Sequence, residues 1–162
     1  MIADETMETI LLNDALTLTF PEGFRRLSDA ETDQLRGGKS APGLCLRDDA
    51  RHIVVSLGHK QAGLLSVLLN GKDIVKGSQT RIAGAMRGFG YQLAGYDSRT
   101  VGGKTAPCFR YAYTAQDTEM LGECCAFKAG KTLYFLHFYV RRACAEEGLQ
   151  AWKKVLEEAR WA

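Results

Sequence analysis

The chain contains no apolar run that approaches the ~20 residues of a membrane-crossing helix, no C-x-x-C pair, no internal repeat and no low-complexity segment. The first absence excludes a helical membrane span. The second removes the commonest zinc and redox signatures. Histidine is scarce: His52, His59 and His137 stand far apart, so a zinc site needs distant ligands to converge. No metal and no cofactor is expected. The net charge is only +2, too small to imply a polyanionic partner by itself. The start, Met1 to Thr9, is acidic and lacks an apolar core, so it does not read as a secretory signal.

What is present suits one domain over residues 1–162. A globule of this size buries roughly 70% of the surface its unfolded chain exposes. The cysteines stand at 45, 108, 124, 125 and 144. An odd number with wide spacing points to reduced thiols and a cytoplasmic location. Charge is unevenly placed. Residues 1–36 hold eight acids against three arginines, and residues 72–110 hold seven basic residues against Asp73 and Asp97. The second stretch offers a docking face, with Lys72, Lys76 and Arg87 as its candidate residues.

Leu16–Phe20 alternates apolar and polar residues and reads as a half-buried strand. Ser28 and Glu31 form a capping box for a short helix to about Leu35. A glycine-rich loop, 37–43, is expected next. Leu44–Arg47 and His52–Leu57 form a hairpin around Asp48-Asp49-Ala50. A short apolar helix over 62–69 ends at Asn70-Gly71, and a second helix follows from about 73 to 88. Ile74, Val75, Ser78, Ile82, Ala85, Met86 and Phe89 form its apolar stripe. Four strands then follow at 91–100, 105–114, 119–128 and 132–140. The last is apolar on both faces, so it is central and covered on both sides. A final helix, about 144–160, carries Leu149, Trp152, Val155, Leu156 and Ala159 on one stripe.

No residue cluster declares a chemistry. Ser98 to Thr105 looks like the end of a phosphate-binding loop, but a strand follows where a helix is required. Gly102-Gly103 suits a hairpin turn instead. Gly88-Phe89-Gly90 suits a helix end. Cys124 and Cys125 are adjacent in a strand and point to opposite faces, so they cannot readily share a metal or a disulfide. Core packing plus one exposed thiol is the expectation for them. Cys125 or Cys108 beside His137 is the nearest approach to a nucleophile pair, although a core histidine is the simpler reading. Asp48-Asp49, Glu146-Glu147 and Glu157-Glu158 read as solvated. The aromatics at 109, 111, 113 and 134–139 suggest a base-stacking platform only if interleaved cations share their face. Arg110 points to the other side.

The order of features resembles the PsbP-like superfamily. The resemblance rests on Phe20-Pro21-Glu22-Gly23-Phe24, Gly90-Tyr91-Gln92-Leu93, Val101 to Ala106, Phe109-Arg110-Tyr111-Ala112-Tyr113, Phe127 to Tyr134 and the closing helix. That family includes a photosystem subunit, a Ran-binding import factor and many bacterial proteins. The resemblance implies an α+β fold: a central antiparallel sheet of six or seven strands flanked by helices in an α/β/α sandwich. It also implies a non-catalytic module that binds another protein, as an adaptor or chaperone. The family has no catalytic signature, so no site residue carries over. The alternative is a small-molecule binder or enzyme with a pocket between sheet and helix near His137. The expected partner is a protein rather than nucleic acid or membrane, and the chain is expected to be a monomer or homodimer.

Overall fold

The structure, a computed structural model, describes residues 7–35, 44–63 and 70–162. Its main sheet has seven strands in the order β3-β4-β5-β9-β8-β7-β6, every neighbouring pair antiparallel. These are β3 (Arg25–Arg26), β4 (Leu44–Asp48), β5 (Ile53–Gln61), β6 (Gln92–Val101), β7 (Lys104–Ala115), β8 (Thr118–Ala129) and β9 (Thr132–Arg141). β9 is the middle strand, as its two apolar faces require. The hairpin turns fall where glycine or turn residues stand. Gly102 and Gly103 both adopt positive φ between β6 and β7, the backbone of a two-residue hairpin.

The remaining strands, β1 (Glu8–Leu12), β2 (Leu16–Phe20) and β10 (Arg160–Trp161), form a small separate sheet with β2 in the middle. The strand expected at 16–20 therefore exists but does not join the main sheet. β10 is only two residues long, too short to show a period.

Helix α1 (Asp29–Leu35) starts with the expected capping box. The Glu31 amide donates to Ser28 Oγ at 3.2 Å, and the Ser28 amide donates to Glu31 Oε1 at 3.1 Å. Helix α2 (Gly71–Ala85) covers one face of the main sheet, with Val75 and Ile82 against Phe109, Tyr111 and Tyr113. Asn70 caps the start of this helix, its side chain accepting the Asp73 amide at 2.9 Å. The expected helix at 62–69 falls mainly on 64–69, which lie outside the described residues, as does the 37–43 loop. Ala62 and Gly63 are described and are not helical. Helix α3 (Ala145–Glu157) covers the other face. There Trp152 stacks on Phe138 with ring centroids 5.5 Å apart.

Asp48 departs from the solvated reading. It is buried, and it accepts from Arg51 through both its backbone amide and its guanidinium. The acids at 146, 147, 157 and 158 are exposed as expected.

Candidate functional site

β6 is the edge strand of the main sheet, and α2, packed over the neighbouring β8 and β7, faces it across a groove. Gly71, at the start of the helix, sits by Pro107, the register partner of Ser98. Two turns on, Gln79 meets the hydroxyls of Tyr91 and Tyr96 at 3.0 and 3.5 Å. The helix thus runs antiparallel to β6, and an open groove of about 560 Å³ separates them. Its walls are Lys72, Val75 and Lys76 from α2, Tyr96 to Ser98 from β6, and Pro107 and Cys108 from β7. Lys72 and Lys76 are exposed and, among the described residues, make no ion pair. Arg87 does not join them. α2 ends at Ala85, and Arg87 lies in the following 3-10 turn, about 16 Å along the chain direction from Lys76 if helical rise is continued. Apolar side chains are exposed nearby: Phe89 at 49%, Leu93 at 41% and Tyr96 at 47%.

A second polar centre lies inside the sandwich. Glu123 of β8 has no exposed surface. Arg99 grips it with two hydrogen bonds of 3.0 and 2.9 Å, Arg110 adds one of 2.7 Å, and the Trp152 indole N–H donates at 2.9 Å. Arg110 also pairs with Asp97 at 3.2 Å. All these donors are charged or aromatic N–H groups aimed at one carboxylate, so the hydrogen-bonding capacity of the buried acid is met inside the protein. Cys108 and Cys125 lie beside it, their sulfurs and a Glu123 oxygen within 4.8 Å of one another. A metal cation here would compete with two guanidinium groups for the same carboxylate. The donor set therefore suits an ion-pair network better than a metal.

His137 sits on the opposite face, in β9. Its Nε2 meets the Tyr111 hydroxyl at 2.6 Å, and its Nδ1 meets the Tyr139 hydroxyl at 3.0 Å. Part of the side chain reaches the surface, yet both ring nitrogens are enclosed by tyrosines. Burial, helped by the positive charge of Arg81, pulls its pKa down to about 3. Burial pushes Tyr111 and Tyr139 up, and Tyr113 up to about 12. A neutral imidazole between two neutral phenols is a satisfied core cluster, not an activated base.

The register corrects the cysteine reading. Cys124, not Cys125 or Cys108, stands opposite His137. Cys125 instead stands opposite Cys108, on the face of Glu123. Neither member of the Cys124–Cys125 pair is exposed; the partly exposed thiol is Cys144. Burial pushes Cys124 up to about 12. A hydrogen bond with Cys108, and then burial, hold Cys125 well above the ordinary thiol range. These are the properties of inert core thiols.

No protein-family model and no curated protein matches the chain. Solved structures do. Cyanobacterial PsbP (CyanoP) from Synechocystis superposes with a TM-score of 0.67 at 13% identity, over 97% of this chain and 93% of that one. The chain has the PsbP-like fold. The Ran-binding protein Mog1p of Saccharomyces cerevisiae is similar with a TM-score of 0.55 at 11% identity, over 94% of this chain and 91% of that one. LpqN of Mycobacterium tuberculosis, involved in cell envelope biogenesis, gives a TM-score of 0.59 at 12% identity, over 91% and 83%. At these identities the likeness speaks for the fold alone.

Proposed function

We propose that this PsbP-like domain is a non-catalytic module that binds a partner protein, and that the groove between α2 and β6 receives an acidic part of that partner. The observation that carries the reading is the pair of lysines that meet no carboxylate among the described residues, Lys72 and Lys76, on a groove with an apolar floor. Two exposed lysines beside the exposed ring of Tyr96 favour a ligand that brings both carboxylates and apolar contact. The fold shared with a Ran-binding protein supports a binding role. The rival site at His137 is less favoured, because both ring nitrogens are already engaged. A reducing, cytoplasmic setting remains part of the proposal, resting on the odd number and spacing of the cysteines.

Charge reversal tests this. The double variant Lys72→Glu, Lys76→Glu should bind a fluorescent glutamate-rich peptide about tenfold more weakly. That matches roughly 0.2–1 kcal/mol for each exposed pair lost, plus the new repulsion. The difference should be largest at low ionic strength. Equal affinity of both proteins at every salt concentration would sink the reading.

A further inference from the structure

We infer that the acidic partner segment binds as an added β-strand on the open edge of β6. The inference rests on the docking reading above and specifies its geometry.

The edge is free in a defined stretch. A two-residue hairpin makes Val101 and Lys104 a hydrogen-bonded pair, so the alternation of an antiparallel ladder turns the backbone groups of Tyr96, Ser98 and Thr100 outward. Ser98 confirms the phase. Its partner is Pro107, which has no N–H to give, and its own amide donates to Asp97 Oδ1 at 2.8 Å instead of to β7. Among the described residues, no other backbone meets the outward groups at 96, 98 and 100. The stretch has natural limits. A register shift at Leu93/Gly95 breaks it on one side. On the other, Leu156 and Trp161 engage Gly102 and Val101.

The side-chain environment fits the same occupant. Tyr96 and Ser98 share the α2 face, where the groove holds Lys72 and Lys76. These lysines stand one helical turn apart, on the order of 6 Å. Alternate side chains of a strand repeat at about 6.6 Å. A strand with acids at alternate positions therefore presents one carboxylate to each lysine while its carbonyls and amides pair with β6. Asp97 protects the empty edge: one carboxylate oxygen holds the Ser98 amide and the other holds Arg110. An incoming carbonyl takes over the Ser98 amide and leaves Asp97 to Arg110. Charged side chains on an edge strand are a known device against unwanted strand pairing.

The test uses the full chain and an alternating Glu-Val peptide. In an antiparallel addition the residue opposite Ser98 shares its face, so glutamate amides make the backbone bonds. N-methylation of the glutamate amides should weaken binding at least tenfold, and N-methylation of the valine amides should not. The reverse asymmetry also supports strand addition, in parallel sense. Ser98→Pro deletes an outward donor that the sheet does not use, a substitution edge strands accept, and should weaken binding to a similar degree. Asp97→Ala should tighten it. In 15N-labelled protein the amides of 96–100 should shift most. If both methylated peptides bind like the parent while Lys72→Glu, Lys76→Glu still weakens all three, strand addition is wrong and the acidic-groove reading survives. If the lysine reversal has no effect, the docking reading itself fails. Concentration-dependent dimers abolished by Ser98→Pro would assign the edge to a second copy and overturn the inference.

Discussion

Trp152 donates its indole N–H to the Glu123 carboxylate at 2.9 Å, so the last helix is tied to the centre of the sheet by a buried charge as well as by ring stacking. The two parts of that tie separate by mutation. Trp152→Ala empties a large aromatic site and removes the donor, and should cost roughly 3–5 kcal/mol. Trp152→Phe keeps most of the ring and leaves a buried carboxylate short of one partner, for about 1–3 kcal/mol. Urea melts of the two variants should fall in that order. Near-wild-type midpoints for Trp152→Ala would contradict the packing described.

His137 makes the fold acid-sensitive in a defined window. Its folded pKa is lowered to about 3, against 6.5 ordinarily. The unfolded chain therefore binds a proton that the folded chain refuses. This contribution is complete above pH 6.5 and drains away as pH falls towards 3. His137→Gln cannot titrate, so its urea midpoint should vary less than that of the wild type between those limits. Parallel pH profiles for the two proteins would rule the histidine out as the source.

Thiol accessibility follows from the strand faces. Under native conditions an alkylating reagent should modify Cys144 first, with Cys45, Cys108, Cys124 and Cys125 protected by burial. In denaturant without reductant all five should react. Mass spectrometry that finds two thiols missing until reductant is added would reveal a disulfide, for which the opposed Cys108 and Cys125 are the pair to examine.

Gly122 lies directly beneath a tyrosine. A Cβ there would stand 2.3 Å from Tyr111 Cζ. Gly122→Ala must displace a ring that also binds His137, so the cost should reach about 1–3 kcal/mol or more. Calorimetry should show a lower Tm than for Gly103→Ala, where no neighbour lies within 4 Å and only the positive φ opposes the change. Equal losses would mean that Tyr111 yields freely.

The meander and its central strand were legible because β9 is apolar at both phases and each turn carries glycine or a polar pair. Glu123 was not. It falls in phase with Leu121, Cys125 and Phe127, yet a single acid in a strand reads as an outward residue unless its cations are known, and Arg99 and Arg110 come from two other strands. The Cys108–Cys125 opposition was hidden for a related reason: it depends on strand register, which the composition of neither strand specifies. Lys72 and Lys76 could be placed on one helix face by spacing alone. That Arg87 leaves that face depends on where α2 stops, and Met86 folds into a turn instead of a further helical residue.

The small sheet stitches together segments from almost opposite ends of the sequence, Thr17 to Arg160 and Leu16 to Trp161. During synthesis β1 and β2 emerge before the main-sheet strands and find no third strand until those have been made. Until then, the aromatic surface of Phe127 and Tyr134 that Trp161 later covers edge-on stays open to water. The order of translation thus leaves the stitch at Arg160 and Trp161 until after the main sheet, and a nascent chain stalled just short of them would carry a finished main sheet with a sticky, unfinished flank.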